Sequence, residues 1–242
     1  MTDKHNKLED YFYNKKDIRK YEMSKWNHYF EIYERHFSKF IGKSPKILDI
    51  GVHLGGSLEM WDYYFNGDCQ IVGVDNNPSC ADLCNEYDNI EILIGDQEDI
   101  NFWKSVKDKV PYFDIVIDDG GHHMSQQITT FEEMYNHMSE NGVYLVEDTH
   151  TSYWPNWGGC ADRSKVTFIE FSKTFIDLIN AQHWAGHPWA EKRLDEPPPP
   201  VENLQDLLSH EKLSFSNTVN SLHFYDSVFV MEKRQKTNLH TS

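Results

Sequence analysis

The stretch KILDIGVHLGGS, residues 46–57, runs from a short apolar segment into a glycine-rich turn and then into an amphipathic segment. The segment Lys46–Ile50 is mostly apolar without strict alternation, as expected for a strand buried on both faces of a parallel sheet. Glycines in the turn let the backbone approach a ligand closely, and the following helix start carries positive partial charge. The stretch therefore predicts a βα unit of an α/β protein with a ligand site at its turn.

The same pattern recurs along the chain, which predicts an α/β fold with a mostly parallel sheet. Strands are predicted over Lys46–Ile50, Gln70–Val74, Ile90–Ile94, Asp114–Ile117 and Val143–Val146. Parallel strands need long crossover connections, which helices usually supply. Such helices are predicted over Ser57–Phe65, Ser79–Glu86, Glu98–Lys109 and Ser125–His137, with a further helix over Asp162–Gln182. Two runs, Ser221–Phe224 and Ser227–Lys233, are too close for a helical crossover and predict an antiparallel hairpin.

Two segments lie outside this pattern. Residues 1–42 have apolar side chains at three- and four-residue spacing, which predicts a helical cover packed across the sheet. Residues 183–200 contain two tryptophans and the run Pro197–Pro200, which favours an extended loop with a functional role. We interpret all 242 residues as one domain.

The charge balance narrows the classes of partner. The chain has 23 Lys and Arg against 39 Asp and Glu, a net charge of −16, which repels nucleic acid and anionic membranes. No apolar run approaches the roughly 20 residues of a membrane span, and the first 20 residues do not resemble a signal peptide. The four cysteines lack the two-residue spacing of a metal or redox motif. These features predict a cytoplasmic protein with free thiols that acts on a small molecule.

The first turn and the end of the second strand suggest a cofactor with an adenosyl group. Asp75-Asn76 follows Gly51 by 24 residues, where an acid can bind a ribose diol. Asp96-Gln97 ends the third strand at the same edge of the sheet, although a polar turn is an alternative interpretation. The glycines at 51, 55 and 56 depart from the G-x-G-x-x-G pattern of dinucleotide-binding proteins. This spacing disfavours NAD, and a tight turn without a ligand is the alternative interpretation.

Acidic side chains follow the fourth and fifth strands, as Asp118-Asp119 and Glu147-Asp148. The carboxyl ends of parallel strands meet at one edge, so these four carboxylates are expected to crowd a small region. Such crowding needs a cation or protons to relieve it, and oxygen ligands suit Mg²⁺. Successive strand residues face opposite sides, so one residue of the pair Asp118-Asp119 faces the site, and periodicity does not decide which.

His122 is the candidate general base. It follows Asp119 by three residues, and methylation of an alcohol needs a base for the proton and a cation for the developing alkoxide. The alternatives are that His122 caps the next helix or is itself a metal ligand.

These residues resemble a known family. Asp118-Asp119-Gly120-Gly121-His122, Glu147-Asp148, Tyr153-Trp154-Pro155 and Gly158-Gly159 are similar to motifs of the Mg²⁺-dependent, S-adenosylmethionine-dependent sugar O-methyltransferases of macrolide tailoring. The resemblance extends from about Lys25 to Lys233 and takes in Lys25-Trp26, residues 33–37, Gly95-Asp96-Gln97 and residues 223–227. His53 departs from the pattern, because many methyltransferases have a glycine at that place in the first turn.

The resemblance implies a class I methyltransferase sheet of seven strands in the order 3-2-1-4-5-7-6, with the last strand but one antiparallel. It implies that His122 is the base and that Asp119, Glu147 and Asp148 bind Mg²⁺. The residues expected at the cofactor are Asp49, Gly51, Gly55, Ser57, Asp75, Asn76, Asp96, Gln97 and Asp118. Larger members of the family carry an N-terminal oligomerisation domain that 242 residues do not accommodate, so whether this chain forms a homo-oligomer stays open.

The sequence thus predicts an O-methyltransferase that acts on a hydroxyl of a sugar or glycoside. Aromatic residues of the two loops are expected to bind this substrate, namely Tyr153, Trp154, Trp184 and Trp189. A catechol-type O-methyltransferase acting on a vicinal diol is the nearest alternative. A non-catalytic protein that binds S-adenosylmethionine and an NAD-dependent oxidoreductase are the others.

Overall fold

A seven-stranded sheet forms the centre of the part of the chain that the computed structural model describes, residues 7–180, 215 and 217–234. The strands are β1 (Lys46–Ile50), β2 (Gln70–Asp75), β3 (Ile90–Ile94), β4 (Phe113–Asp118), β5 (Met138–Val146), β6 (Val219–Tyr225) and β7 (Val228–Lys233). Their order is β3-β2-β1-β4-β5-β7-β6, and β7 pairs antiparallel with both of its neighbours. The α/β class, the strand order and the C-terminal hairpin are confirmed.

Helices cover both faces of the sheet. They are α1 (Lys7–Asn14), α2 (Tyr29–Phe37), α3 (Gly56–Phe65), α4 (Ile100–Lys109), α5 (Met124–Met134) and α6 (Phe168–Ile179). On one face α1, α2 and α3 pack against alternate strand residues such as Ile47 and Ile115. On the other face α4, α5 and α6 pack against the intervening residues, such as Leu48 and Val116. Burial on both faces explains why the strands read as apolar runs rather than as an alternating pattern.

Two of the predicted helices differ from the structure. The helix predicted over Ser79–Glu86 is wrong, because only a 3-10 turn, Pro78–Cys80, and irregular turns connect β2 to β3. Cys84 has a left-handed backbone (φ 59°), which an α-helix does not accommodate. The helix predicted from Asp162 begins only at Phe168, because Thr167 is its N-cap and accepts a hydrogen bond from the Glu170 N–H.

The N-terminal segment covers one end of the sheet as predicted, although only part of it is helical. Between α1 and α2 the chain is irregular, and it crosses the carboxyl edge of the sheet near Lys25. Tyr33 and Phe37 of α2 pack edge-on against Trp61 of α3, with ring centroids 5.1 and 5.5 Å apart. The described part of the segment therefore belongs to the same hydrophobic core as the sheet.

All four cysteines are free thiols. Within the described residues, the structure contains no helix that is long and apolar enough to cross a membrane.

Candidate active site

A cleft of about 430 Å³ opens at the carboxyl edge of β1, β2, β4 and β5. Open α/β sheets bind ligands at this edge, and the volume lies within the range of about 300–1,000 Å³ typical of small-molecule sites. Most predicted site residues line the cleft: Gly51, Ser57, Asp75, Asn76, Gln97, Asp119, His122, Glu147 and Asp148. The fold therefore brings the three expected metal ligands together with five of the nine residues expected at the cofactor, whereas Asp49, Gly55, Asp96 and Asp118 do not line the cleft.

The turn after β1 lies very close to the backbone of the turn after β4. Gly51 has a φ of 99°, and a Cβ atom there would lie only 2.0 Å from the carbonyl oxygen of Asp119. His53 has a left-handed backbone (φ 49°), the conformation that glycine adopts readily, so the residue that departs from the family pattern still preserves the turn. Its N–H donates to Asp75 Oδ2 at 2.9 Å, which joins the first turn to the end of β2.

Asp75 ends β2 and Asp96 lies two residues beyond the end of β3, and the two differ in their position at the cleft. Asp75 lines the cleft, and its carboxylate accepts hydrogen bonds from the N–H groups of His53 and Asn77. Asp96 is exposed, does not line the cleft, and accepts from the N–H of Glu98. Gln97 is buried and holds the following turn, because its amide donates to Asp118 and its Oε1 accepts from the Gly121 N–H at 3.0 Å.

Asp49 and Asp118 are buried beneath the cleft and do not line it. Burial raises the pKa of Asp49 to about 7, although Lys25 and the hydrogen bond from Ser57 Oγ (2.6 Å) oppose the shift. Burial likewise raises the pKa of Asp118 to about 6, and the amide of Gln97 opposes this shift. One oxygen of each carboxylate has no hydrogen-bond partner among the described residues. Of the pair Asp118-Asp119, it is Asp119 that faces the cleft.

Three predicted functional side chains form a cluster. Ligand atoms of Asp119, His122 and Asp148 lie within 4.8 Å of one another, and His122 Nε2 is 3.6 Å from Asp148 Oδ2. His122 and Asp148 both have left-handed backbones, with φ values of 58° and 53°. Non-glycine residues rarely adopt this conformation, and such strain concentrates at functional sites.

Glu147 is held by residues of the N-terminal segment. It is 1% exposed, and Lys25 Nζ donates to both of its oxygens, at 2.9 and 2.8 Å, and to Asp119 Oδ2 at 2.5 Å. The hydroxyl of Tyr33 donates to Glu147, and that of Tyr29 donates to Asp148, both at 2.6 Å. Burial and the charge of Asp119 raise the pKa of Glu147 to about 8, while Lys25 opposes this shift.

Sequence reasoning did not assign a role to Lys25, Tyr29 or Tyr33. The three residues are spaced by four, and each donates a hydrogen bond to one or two of the predicted metal ligands. Tyr29 and Tyr33 lie one turn apart on α2, so their spacing places both on one face of that helix, whereas Lys25 lies in the irregular segment before it. The apolar pattern instead indicated only a face that packs against the sheet.

The donors at the cluster fit a hard cation. Ligands of an octahedral Mg²⁺ lie about 3–4 Å from one another, and Mg²⁺ prefers carboxylate oxygen. Of the three predicted ligands, the carboxylates of Asp119 and Asp148 lie together in this cluster. Glu147 also lines the cleft, but it is 1% exposed and its oxygens accept hydrogen bonds from Lys25 and Tyr33. Imidazole suits softer metals, which favours His122 as a base beside the ion rather than as its ligand.

The candidate substrate residues lie after β5, outside the lining of the cleft, or outside the described residues. Tyr153 and Trp154 are 45% and 46% exposed in a short 3-10 segment and its cap after β5, and they do not line the cleft itself. The predicted substrate loop 183–200, with Trp184 and Trp189, lies outside the described residues.

Comparison with known proteins identifies relatives that are named as O-methyltransferases. The chain is 31% identical over 214 residues to 8-demethyl-8-alpha-L-rhamnosyl tetracenomycin-C 2'-O-methyltransferase of Streptomyces olivaceus, covering 85% of this chain and 50% of the relative. It is 36% identical over 166 residues to mycinamicin VI 2''-O-methyltransferase of Micromonospora griseorubida, covering 64% of this chain and 40% of the relative. No protein-family model matches the chain.

Solved structures of the MycE methyltransferase from the mycinamycin pathway share the fold. The complex with Mg and SAH has a TM-score of 0.69 and 29% identity, covering 88% of this chain and 51% of that one. The complex that also contains mycinamycin VI has a TM-score of 0.67. The chain spans about half the length of the relatives it matches, and the shared part is a class I methyltransferase sheet. By sequence and by fold, this chain is a homologue of the sugar O-methyltransferases of macrolide pathways.

Proposed function

We propose that the chain transfers a methyl group from S-adenosylmethionine to a sugar hydroxyl of a glycosylated small molecule. Mg²⁺ would bind at the carboxylates of Asp119, Glu147 and Asp148, which we call the acidic cluster. The observation that carries this proposal is the position of His122. Its Nε2 lies 3.6 Å from Asp148 in the same cleft as Asp119 and the turn at Gly51, and its side chain is 22% exposed. The imidazole thus lies beside two of the carboxylates expected to bind the cation, in the cleft expected to hold the cofactor, and its exposure lets an acceptor reach it.

The residues of the cleft have distinct parts in this chemistry. The neutral imidazole of His122 accepts the proton of the acceptor hydroxyl, and Asp148 stabilises the imidazolium that forms. Bound Mg²⁺ supplies positive charge that stabilises the developing alkoxide. The carboxylate of Asp75 keeps lone pairs for a ribose diol beyond its two backbone hydrogen bonds. The close approach of Gly51 to the Asp119 carbonyl packs the turn after β1 against the turn after β4 at the cleft.

The net charge and the cysteines bear on the type of acceptor and on the compartment. A net charge of −16 favours a small-molecule acceptor over a polyanion. Four free thiols favour a reducing compartment, and we infer that the protein acts in the cytoplasm.

A substrate panel tests the proposed function. Purified protein with S-adenosylmethionine and Mg²⁺ is expected to methylate p-nitrophenyl glycosides, and EDTA is expected to stop turnover until Mg²⁺ is restored. His122→Ala is expected to lower kcat by at least about a hundredfold, because general-base catalysis contributes that much. Its affinity for S-adenosylhomocysteine, measured by calorimetry, is expected to stay within about threefold of wild type.

Three outcomes would contradict the proposal. Binding of NADH without affinity for S-adenosylhomocysteine would indicate an oxidoreductase. Faster methylation of catechol than of every glycoside would indicate that the acceptor is a catechol rather than a sugar. Turnover that survives in His122→Ala would show that another group is the base.

A further inference from the structure

An aromatic rim borders the mouth of the cleft, and we define it as Trp26, His150 and Trp154. The rings of Trp26 and His150 are stacked, with centroids 5.1 Å apart and an interplanar angle of 13°. The ring of Trp154 meets His150 edge-on at 4.4 Å and an angle of 71°. The rim thus joins two segments that are more than 120 residues apart in the chain, one before α2 and one after β5.

The two tryptophans of the rim are exposed although their side chains are large and apolar, and His150 is half-buried between them. Trp26 and Trp154 are each 46% exposed, whereas Trp61 and Trp103 are completely buried. A cluster of exposed aromatic rings beside a cleft marks a ligand-binding surface more often than it marks packing. Burying these rings inside the protein would stabilise the fold, so their exposure calls for an explanation.

The rim is also held in place. His150 Nδ1 lies 2.5 Å from Ser227 Oγ, at the turn between β6 and β7, which fixes the orientation of the imidazole. Trp26 is in contact with Tyr29, with centroids 5.6 Å apart, and the hydroxyl of Tyr29 donates to Asp148. An ordered surface costs a ligand less entropy on binding than one that must be ordered first.

Both segments of the rim adjoin residues of the acidic cluster. Trp26 follows Lys25, which binds Asp119 and Glu147, and Trp26 itself lines the cleft with His122. His150 comes two residues after Asp148. A molecule stacked on Trp26 therefore lies in the same cleft as His122 and the predicted metal ligands.

We propose that this rim is the acceptor-binding surface, on which the apolar face of the sugar ring stacks so that a hydroxyl points toward His122. The assignment rests on the proposed function and deepens it, because it names the residues that recognise a glycoside. Sugar rings present C–H groups on one face, which match the electron-rich face of an indole. The polar edge of the same ring is then left free to face the carboxylates and the histidine.

Kinetics with p-nitrophenyl α-L-rhamnoside test the rim. Trp26→Ala and Trp154→Ala are each expected to raise KM for the glycoside at least tenfold, with the larger part of the loss in KM rather than in kcat. Trp26→Phe keeps a stacking ring and is expected to stay within about threefold of wild type. Affinity for S-adenosylhomocysteine and the melting temperature report whether the variants retain the fold and the cofactor site.

Tyr112→Ala is the matched control, because Tyr112 is a 43% exposed aromatic residue that does not line the cleft. The proposal for the rim would be refuted if both rim variants still methylate the glycoside with KM values within twofold of wild type. That result would leave the proposed function intact. A wild-type protein that binds S-adenosylhomocysteine but neither binds nor methylates any glycoside of the panel would overturn both.

Discussion

Replacing Lys25 by methionine tests whether its ammonium group is the cation that stabilises the acidic cluster when no metal is bound. The side chain of Lys25 is 3% exposed, and its Nζ contacts Asp119 and Glu147 at 2.5 and 2.8 Å. Methionine preserves most of the volume and removes the charge. The variant therefore leaves two crowded carboxylates without their cation.

The size of the effect follows from the burial of the pair. A charge pair at 2.8 Å is attracted by about 6 kcal/mol at an effective dielectric constant of 20, and the desolvation of the ammonium group offsets part of this. Breaking a buried pair by removing one partner costs about 3–5 kcal/mol. For a protein of this size, that corresponds to a melting temperature lower by roughly 6–20 °C.

The loss should depend on pH and on Mg²⁺. Lys25 opposes the shift that raises the pKa of Glu147 to about 8, so its removal raises that pKa further. Protonation of Glu147 relieves the variant at low pH, and its deficit in stability is therefore largest above pH 8. Mg²⁺ supplies the missing charge, so it should raise the melting temperature of the variant more than that of wild type.

Thermal unfolding at pH 6 and pH 8.5, with EDTA or with Mg²⁺, measures these effects. Lys107→Met is the matched control, because Lys107 contacts Glu133 at 2.6 Å but is 29% exposed, and its loss should cost no more than about 1 kcal/mol. If Lys25→Met is as stable as Lys107→Met at pH 8.5 in EDTA, or if Mg²⁺ stabilises variant and wild type equally, the role of Lys25 as resident cation is refuted.

Two further substitutions probe the floor of the cleft. Gly51→Ala should destabilise the protein by more than about 3 kcal/mol in urea unfolding and abolish calorimetric binding of S-adenosylhomocysteine, because left-handed strain adds to the contact with Asp119. Gly42→Ala has similar strain and nothing within 4 Å, so it should cost only about 1–2 kcal/mol, and equal losses would contradict the clash. The folded pKa of Asp49 is raised from 3.8 to about 7, so its contribution to stability is present below about pH 4 and is lost as pH rises to about 7. Asp49→Asn should therefore gain stability over wild type across that range, by up to about 4 kcal/mol, whereas parallel pH profiles would show that the carboxyl is not strained by burial.

Much of the fold followed from local patterns. Apolar runs separated by helix-length stretches predict a doubly covered parallel sheet, and the carboxyl ends of β4 and β5 then bring Asp119 and Asp148 together without further information. The strand order came from the resemblance, because periodicity does not encode which strands are neighbours. The helix predicted after β2 was wrong because a single residue, Cys84, adopts a left-handed backbone that its side chain does not reveal.

The contribution of the N-terminal segment was not predictable in the same way. Lys25 lies 94 and 122 residues from the carboxylates that it binds, and no local pattern reports such a contact. Tyr29 and Tyr33 were correctly predicted to be buried, but burial of a ring leaves the direction of its hydroxyl undetermined. Their role emerges only once the sheet has placed Glu147 and Asp148 opposite α2.

The strained turns at His122 and Asp148 complete the account of how the site is built. A left-handed backbone costs an L-residue about 1–2 kcal/mol, so the two residues together cost about 2–4 kcal/mol, and the surroundings must compensate. The hydroxyl of Thr151 lies 3.0 Å from the carbonyl oxygen of His122 and 2.8 Å from that of Asp148, so one buried side chain links both turns. Thr151 therefore holds the two left-handed residues together at the edge of the sheet, where His122 Nε2 lies 3.6 Å from Asp148.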